Sequence, residues 1–313
     1  MIESEYRTAE PQEEAMKIDR ILCPVDFSET SATGVKTATS IATEYGGELV
    51  LMHVLNFPFA QIEALPPGFD VEAYYQQMAE TADVQLAEMV DSHAADYMSV
   101  QTRVERGVPY REIARVAEEG GFDLIVVPTH ARRGLPRALL GSTTDRVVRM
   151  ANCPVLSVHT DDAPAFKPET ILCGTDFSES AEEALAAACA LAKQYQAKLV
   201  LLHVVTLWDY DPGNPSWRFP ALPDEYVASV AAGPQAQLED LRTACELEVE
   251  TMLLRGYDAA ADIVRVAGDV GADLVVLGTH GHTGLTHALV GSVAGKVVRD
   301  FEGPVLTVRH EAS

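Results

Sequence analysis

The chain carries one unit twice. Asp26-Phe-Ser-Glu29 returns as Asp176-Phe-Ser-Glu179, His53-Val54 as His203-Val204, and Thr129-His130 as Thr279-His280. Gly141-Ser142 returns as Gly291-Ser292, and Pro154-Val-Leu156 as Pro304-Val-Leu306. Every pair is 150 positions apart, and half of residues 121–158 are identical to the residues 150 places on. Arg106-Gly107 meets Arg255-Gly256 at 149, so a small indel lies in that loop. Such self-similarity reads as a duplication and dictates the domain plan. We expect a flexible acidic tail over 1–17, a first domain over 18–160, a linker over 160–165, and a second domain over 167–313. The length of 313 residues agrees, at roughly 100–200 residues per domain.

Each copy alternates short apolar runs with helical patterns. Strands are expected near 20–25, 48–55, 99–105, 123–128 and 154–158, then near 170–175, 198–205, 247–254, 273–278 and 304–308. Ser28 reads as an N-cap with Glu29 at the positive helix end, followed by a core stripe of Val35, Ala38, Ala42 and Tyr45. Strands alternating with helices imply parallel pairing and right-handed crossovers. The expected fold class is α/β: two Rossmann-like, doubly wound domains, each a five-stranded parallel sheet in the order 3-2-1-4-5, flanked by helices. In that order the ligand crevice opens where the winding reverses, between strands 1 and 4.

Two sequence features meet at that crevice in the second copy. Strand 1 ends in Asp176, which reads either as an acceptor for ribose hydroxyls or as an aspartate that only holds its own turn or cap. Strand 4 runs into Gly278-Thr-His-Gly281, and nine residues later comes Gly291-Ser292, read here as the N-cap of the last helix. Glycines between a strand and a helix let bare N–H groups approach an anion, and the helix end adds partial positive charge.

Charge and cysteine content narrow the partners. A formal net charge of −24 opposes nucleic acid and anionic membrane, so neither is expected. No apolar run approaches the roughly 20 residues of a bilayer span, and Met1-Ile-Glu-Ser-Glu-Tyr-Arg7 shows neither the basic start nor the apolar core of a secretory signal, so neither is expected. Five cysteines (Cys23, Cys153, Cys173, Cys189, Cys245) fit neither a disulfide framework nor a C-x-x-C site, so a reducing cytoplasm is expected. Cys23 and Cys173 fall within expected core strands, where a thiol acts as a small hydrophobe.

Cys173-Gly-Thr-Asp176-Phe-Ser-Glu179, Leu199-Val-Leu-Leu-His-Val204, the G-x2-G-x9-G-S spacing over 278–292 and Gly303-Pro-Val-Leu-Thr-Val308 together resemble the universal stress proteins. The resemblance spans both copies and implies a tandem member that binds ATP, with any Mg²⁺ carried by the nucleotide and no metal held by protein alone. It assigns Asp176 to ribose and Gly174, Thr175 and Val204 to the adenine pocket. Leu277, Gly278, Gly281, Gly291, Ser292 and Val293 are implied to line the ribose and phosphates. It also implies pairing through the last strand of each unit, 154–158 with 304–308, as an intramolecular pseudo-dimer with a further homodimer open.

The first copy departs from this pattern. Pro128 and Ala131 stand where Gly278 and Gly281 are in the second; proline has no N–H to donate, and a Cβ crowds a phosphate. A weaker candidate site keeps Pro24, Val25, Asp26, Val54, Val127, Gly141, Ser142 and Thr143, and Arg132 and Arg133 could supply charge. The second unit is therefore expected to carry the nucleotide. Other signals are set aside. Gly291-Ser-Val-Ala-Gly-Lys296 is one spacer short of a P-loop. His280 and His282 do not share a helix face, and His53 and His203 read as structural. No nucleophile–base pair is readable, so no catalytic residue is assigned. Connections 56–73, with Pro58, Pro66 and Pro67, and 207–224, rich in aromatics and prolines, read as packing over the sheet edge, as covers over a site or as an interface. The expected role is a nucleotide-responsive stress-adaptation switch. Its rivals are a slow ATPase and a partner-binding module independent of nucleotide.

Overall fold

The computed structural model describes residues 17–56, 68–129, 141–159, 166–206, 224–279 and 291–310. The first unit runs β1 (Arg20–Pro24), α1 (Glu29–Tyr45), β2 (Glu48–Leu55), α2 (Val71–His93), β3 (Val100–Arg106), α3 (Pro109–Glu119), β4 (Leu124–Pro128), α4 (Ser142–Met150) and β5 (Val155–Val158). The second repeats it: β6 (Thr170–Gly174), α5 (Glu179–Tyr195), β7 (Lys198–Thr206), α6 (Asp224–Ala244), β8 (Val249–Gly256), α7 (Ala259–Val270), β9 (Leu274–Gly278), α8 (Ser292–Asp300) and β10 (Val305–Val308). The expected connection 56–73 is shorter than the proline pattern suggested, because Asp70 accepts from the N–H of Ala73 and starts α2. The tail, the linker 160–165 and most of both long connections lie outside the described residues.

Within each unit the strand order is 3-2-1-4-5, with parallel neighbours. The two five-stranded halves join as one ten-stranded sheet, because β5 and β10 pair antiparallel. Leu306 faces Leu156, flanked by Val305 with Ser157 and Thr307 with Val155, and the Thr307 hydroxyl donates to the Val155 carbonyl at 3.2 Å. Each last strand thus supplies the hydrogen-bonding edge that the other needs.

Two apolar layers cover the sheet. One holds Val35, Ala38 and Ala42 of α1 with Ala184, Ala188 and Leu191 of α5, over Leu156 and Leu306. The other holds Val147 of α4, Val297 of α8 and Ile263 of α7. Cys23 and Cys173 are wholly buried in β1 and β6, and burial pushes the Cys23 thiol up to about 12. Ser28 and Ser178 cap α1 and α5 by accepting from the N–H groups of Ser31 and Ala181. Among the described residues, no helix is long and apolar enough to cross a membrane.

The end of β10 is tied back to α5. His310 Nδ1 lies 2.6 Å from a Glu183 carboxylate oxygen, and Nε2 lies 3.3 Å from Glu179. The Glu183 hydrogen bond, ahead of the opposing desolvation, raises the imidazole above its ordinary 6.5. A raised folded-state value means the pair's contribution is complete below the unfolded value and disappears as pH rises through the folded one. In an NMR titration, the His310 ring protons should therefore show a midpoint above 6.5, and Glu183→Gln should lower it. A midpoint at or below 6.5 in the parent chain would refute the contact.

Candidate functional site

Adjacent parallel strands end together, and the register of β6 with β9 sets Gly174 opposite Leu277. Thr175 and Asp176 therefore leave the sheet beside Gly278 and Thr279. The helix α8 starts at the same edge, since the N–H of Gly291 donates to the Thr279 carbonyl at 2.7 Å. Val204 lies two residues beyond Leu202, which pairs with Gly174. Gly174, Thr175, Asp176, Val204, Leu277, Gly278, Gly291, Ser292 and Val293 thus derive from one strand-end edge. Gly281, His280 and His282 lie outside the described residues, as do Ala131, Arg132 and Arg133 in the first unit.

The turn after β6 is held in a particular shape. Asp176 Oδ1 accepts from the Ser178 N–H at 3.1 Å and the Ser178 hydroxyl at 2.5 Å. Phe177 has φ 63°, and Phe27 in the twin turn has φ 61°. A left-handed phenylalanine costs roughly 1–2 kcal/mol, so each turn needs outside support. That support comes from the second strand. His203 Nδ1 lies 2.7 Å from the Thr175 carbonyl and its ring packs on Phe177 at 4.4 Å, while His53 repeats this on Val25 and Phe27 at 2.8 and 4.3 Å. These histidines brace the turns. Strain held at matching turns by matching braces is typical of functional edges.

The glycines have reasons that spacing alone did not display. A Cβ on Gly278 would fall 2.8 Å from both the carbonyl carbon and the oxygen of Ser180, in the first turn of α5. A Cβ on Gly174 would fall 2.6 Å from Leu277 Cδ2. Neither residue has positive φ; both are small because another group stands against them. The first unit exchanges volumes. Pro24 and the smaller Val127 occupy the places of Gly174 and Leu277, and Pro128 occupies that of Gly278. Pro128 is accommodated by Gly34 of α1, where a Cβ would lie 3.3 Å from the proline ring; the second unit has Ala184 there.

The expected Ser292 cap is corrected by the structure. Gly291 is the N-cap, with φ −49° and ψ 138°, and Ser292 is the first helical residue. Gly141 and Ser142 repeat this, and neither cap makes a side-chain hydrogen bond. The first amides of both helices are thus left without a capping oxygen from the cap residue. Around them, Lys296 of α8 reaches Asp258 at the start of α7 at 3.0 Å, and Thr144 of α4 donates to the Pro128 carbonyl at 3.1 Å.

One difference between the twin turns escaped sequence reasoning. Asp26 Oδ1 accepts not only from the Ser28 N–H and hydroxyl, at 3.1 and 2.5 Å, but also from the Ser31 hydroxyl at 2.6 Å. Ala181 stands in place of Ser31 in the second unit, so Asp176 lacks that third donor. The signal was present in a position-by-position comparison of the copies, but its meaning needed the distance.

The Universal stress protein family model matches residues 17–159 and, a second time, residues 168–309. A universal stress protein of Mycolicibacterium smegmatis is 28% identical over 297 residues, spanning 92% of this chain and 96% of the relative. Universal stress protein Rv2005c of Mycobacterium tuberculosis is 30% identical over 280 residues, spanning 83% of this chain and 87% of the relative. The crystal structure of a universal stress protein from Archaeoglobus fulgidus superposes with a TM-score of 0.66 at 22% identity, covering 94% of this chain and 97% of that one. That likeness concerns the fold.

Proposed function

Because the chain belongs to the universal stress protein family, we propose that its second unit binds an adenine nucleotide, ATP, and that the bound nucleotide alters the contacts of a stress-adaptation regulator. One observation carries this: Asp176, Gly278 and the glycine-capped start of α8 converge at a single strand-end edge. Asp176 has an exposed carboxylate to accept from ribose hydroxyls. Gly174, Thr175 and Val204 border the adenine. Leu277, Gly278, Gly281, Gly291, Ser292 and Val293 face the ribose and phosphates, with amides and the helix end attracting the anion against the protein's negative field. Magnesium, when carried by the phosphates, would offset their charge.

The first unit takes nucleotide weakly or not at all. Pro128 offers no amide, and Asp26 is already engaged by Ser31. Its residual set is Pro24, Val25, Asp26, Val54, Val127, Gly141, Ser142 and Thr143. With β5 and β10 paired, the chain works as its own pseudo-dimer, in a cytoplasmic setting. A ligand shifts such a protein by binding its alternative states with different affinities.

Titration calorimetry with Mg-ATP should give one nucleotide per chain. Asp176→Ala should weaken binding by on the order of 10-fold or more, from loss of hydrogen bonds to a charged acceptor. Asp26→Ala should leave the affinity unchanged. Two equivalent sites per chain, or a larger loss for Asp26→Ala, would overturn the proposal.

A further inference from the structure

Two cysteines that are far apart in sequence meet outside the nucleotide edge. Cys189 lies on α5, and Cys245 follows the last residue of α6, its N–H donating to the Leu241 carbonyl at 3.2 Å. Their Sγ atoms are 2.7 Å apart, against about 2.05 Å in a disulfide bond. Both residues are half-buried, so a small oxidant can reach them. Cys173 sits wholly buried in β6, shielded from that oxidant. The first unit has no such pair: Thr39 stands for Cys189, and Ala94, whose N–H closes the end of α2 in the same way, stands for Cys245.

We propose that Cys189 and Cys245 form a peroxide-sensitive thiol pair that closes to an intramolecular disulfide joining α5 to the end of α6. The two positions are chemically unequal. Either sulfur can donate to the other; their hydrogen bond holds the Cys245 thiol below its ordinary value against the opposing effect of burial, and Lys193 adds positive charge. Cys189 is pushed up by the same hydrogen bond and by burial. Lys193 sits one turn beyond Cys189 and pairs with Glu246 at 3.3 Å, next in sequence to Cys245. Thiolate is the attacking form, so Cys245 reacts first.

The steps balance. Cys245 thiolate attacks one oxygen of a peroxide, the O–O bond breaks, and Cys245 sulfenic acid and hydroxide (or alkoxide) form; sulfur loses two electrons and the peroxide gains them. Cys189 then attacks the sulfenic sulfur, the S–O bond breaks, and the Cys189 proton leaves with the hydroxyl as water.

The test is made on the full reduced chain treated with hydrogen peroxide, freed of peroxide, and then denatured and alkylated so that the buried Cys23 and Cys173 are also reached. Two of the five thiols should resist alkylation, and reductant should restore them. Cleavage after Glu183, Glu225, Glu239 and Glu246 puts Cys189 and Cys245 on separate peptides, and cleavage after Glu169 and Glu179 isolates Cys173. Mass spectrometry should find the first two peptides joined. In Cys189→Ser, Cys245 should stop at sulfenic acid and be trapped by dimedone; in Cys245→Ser, Cys189 should not be trapped at the same dose. A link between any other cysteines, links only between chains, or five alkylated thiols after peroxide would overturn the proposal. The parent chain decides these outcomes, whatever the folding of the serine variants.

Discussion

Gly278→Val should be the most damaging single change at the strand-end edge, lowering stability by about 3 kcal/mol and abolishing nucleotide binding. The reason is contact. A Cβ at this position meets the main-chain carbon and oxygen of Ser180 at 2.8 Å, closer than real Cβ atoms come. The first turn of α5 cannot retreat cheaply, because Ala181, Ala184 and Leu185 are buried behind it. Valine adds two methyls to that first clash. Ser180→Ala should not rescue the variant, since two of the three closest atoms belong to the backbone. Pro128→Val, at the twin position, should cost much less, because that site already accommodates a Cβ and a ring over Gly34. Urea unfolding of the two variants makes the comparison. Equal losses at both positions would show that the approach of α5 to β9 is not what requires glycine.

Leu306→Ala should destabilise the chain by about 2–5 kcal/mol, the range for a buried leucine whose surroundings relax only partly. Leu306 is 2% exposed and Leu156 is 1% exposed, and the two are direct cross-strand partners at the junction of the halves. Ile41, Tyr45 and Leu191 line a small cavity beside them, so truncation enlarges an existing gap. Leu156→Ala should cost a similar amount, because these leucines are the same residue of the repeat. The double variant should depart from additivity by about 0.5–3 kcal/mol, as contacting residues do. A loss below about 1 kcal/mol, or strict additivity, would show that β5 and β10 do not share a core in solution.

The legible parts of the fold were those governed by local pattern. Glu48–Leu55 forms β2 over the expected stretch because an apolar run buried on both faces has few other uses. The caps at Ser28 and Ser178 were readable for a similar reason, since a hydroxyl before an acidic first turn satisfies amides in its own neighbourhood. Ser292 failed as a cap although its residue type fits, because the last helix begins one residue earlier, at the hydrogen bond from Gly291 to Thr279. That bond links residues 279 and 291 and leaves no trace in local spacing.

At the candidate site, residue identity was legible but its cause was not. The loss of glycine at Pro128 marked the first unit as different, yet the compensating Gly34 lies in α1 and looks in sequence like an ordinary helix residue. Likewise, nothing near Cys189 announces Cys245.

By itself the sequence determined the duplication, the alternation of strands and helices and the parallel pairing within each unit, while the strand order that brings Asp176 beside Gly278 was an expectation that the structure bears out. These follow from periodicity and from the handedness of parallel crossovers, which act over short chain distances. The expected pairing of the two last strands holds, and only the tertiary structure decided its antiparallel register, that Gly278 makes room for Ser180, that Ser31 occupies Asp26, and that two thiols touch. Those contacts join segments whose separation along the chain carries no pattern, so they exist only once packing has brought the surfaces together.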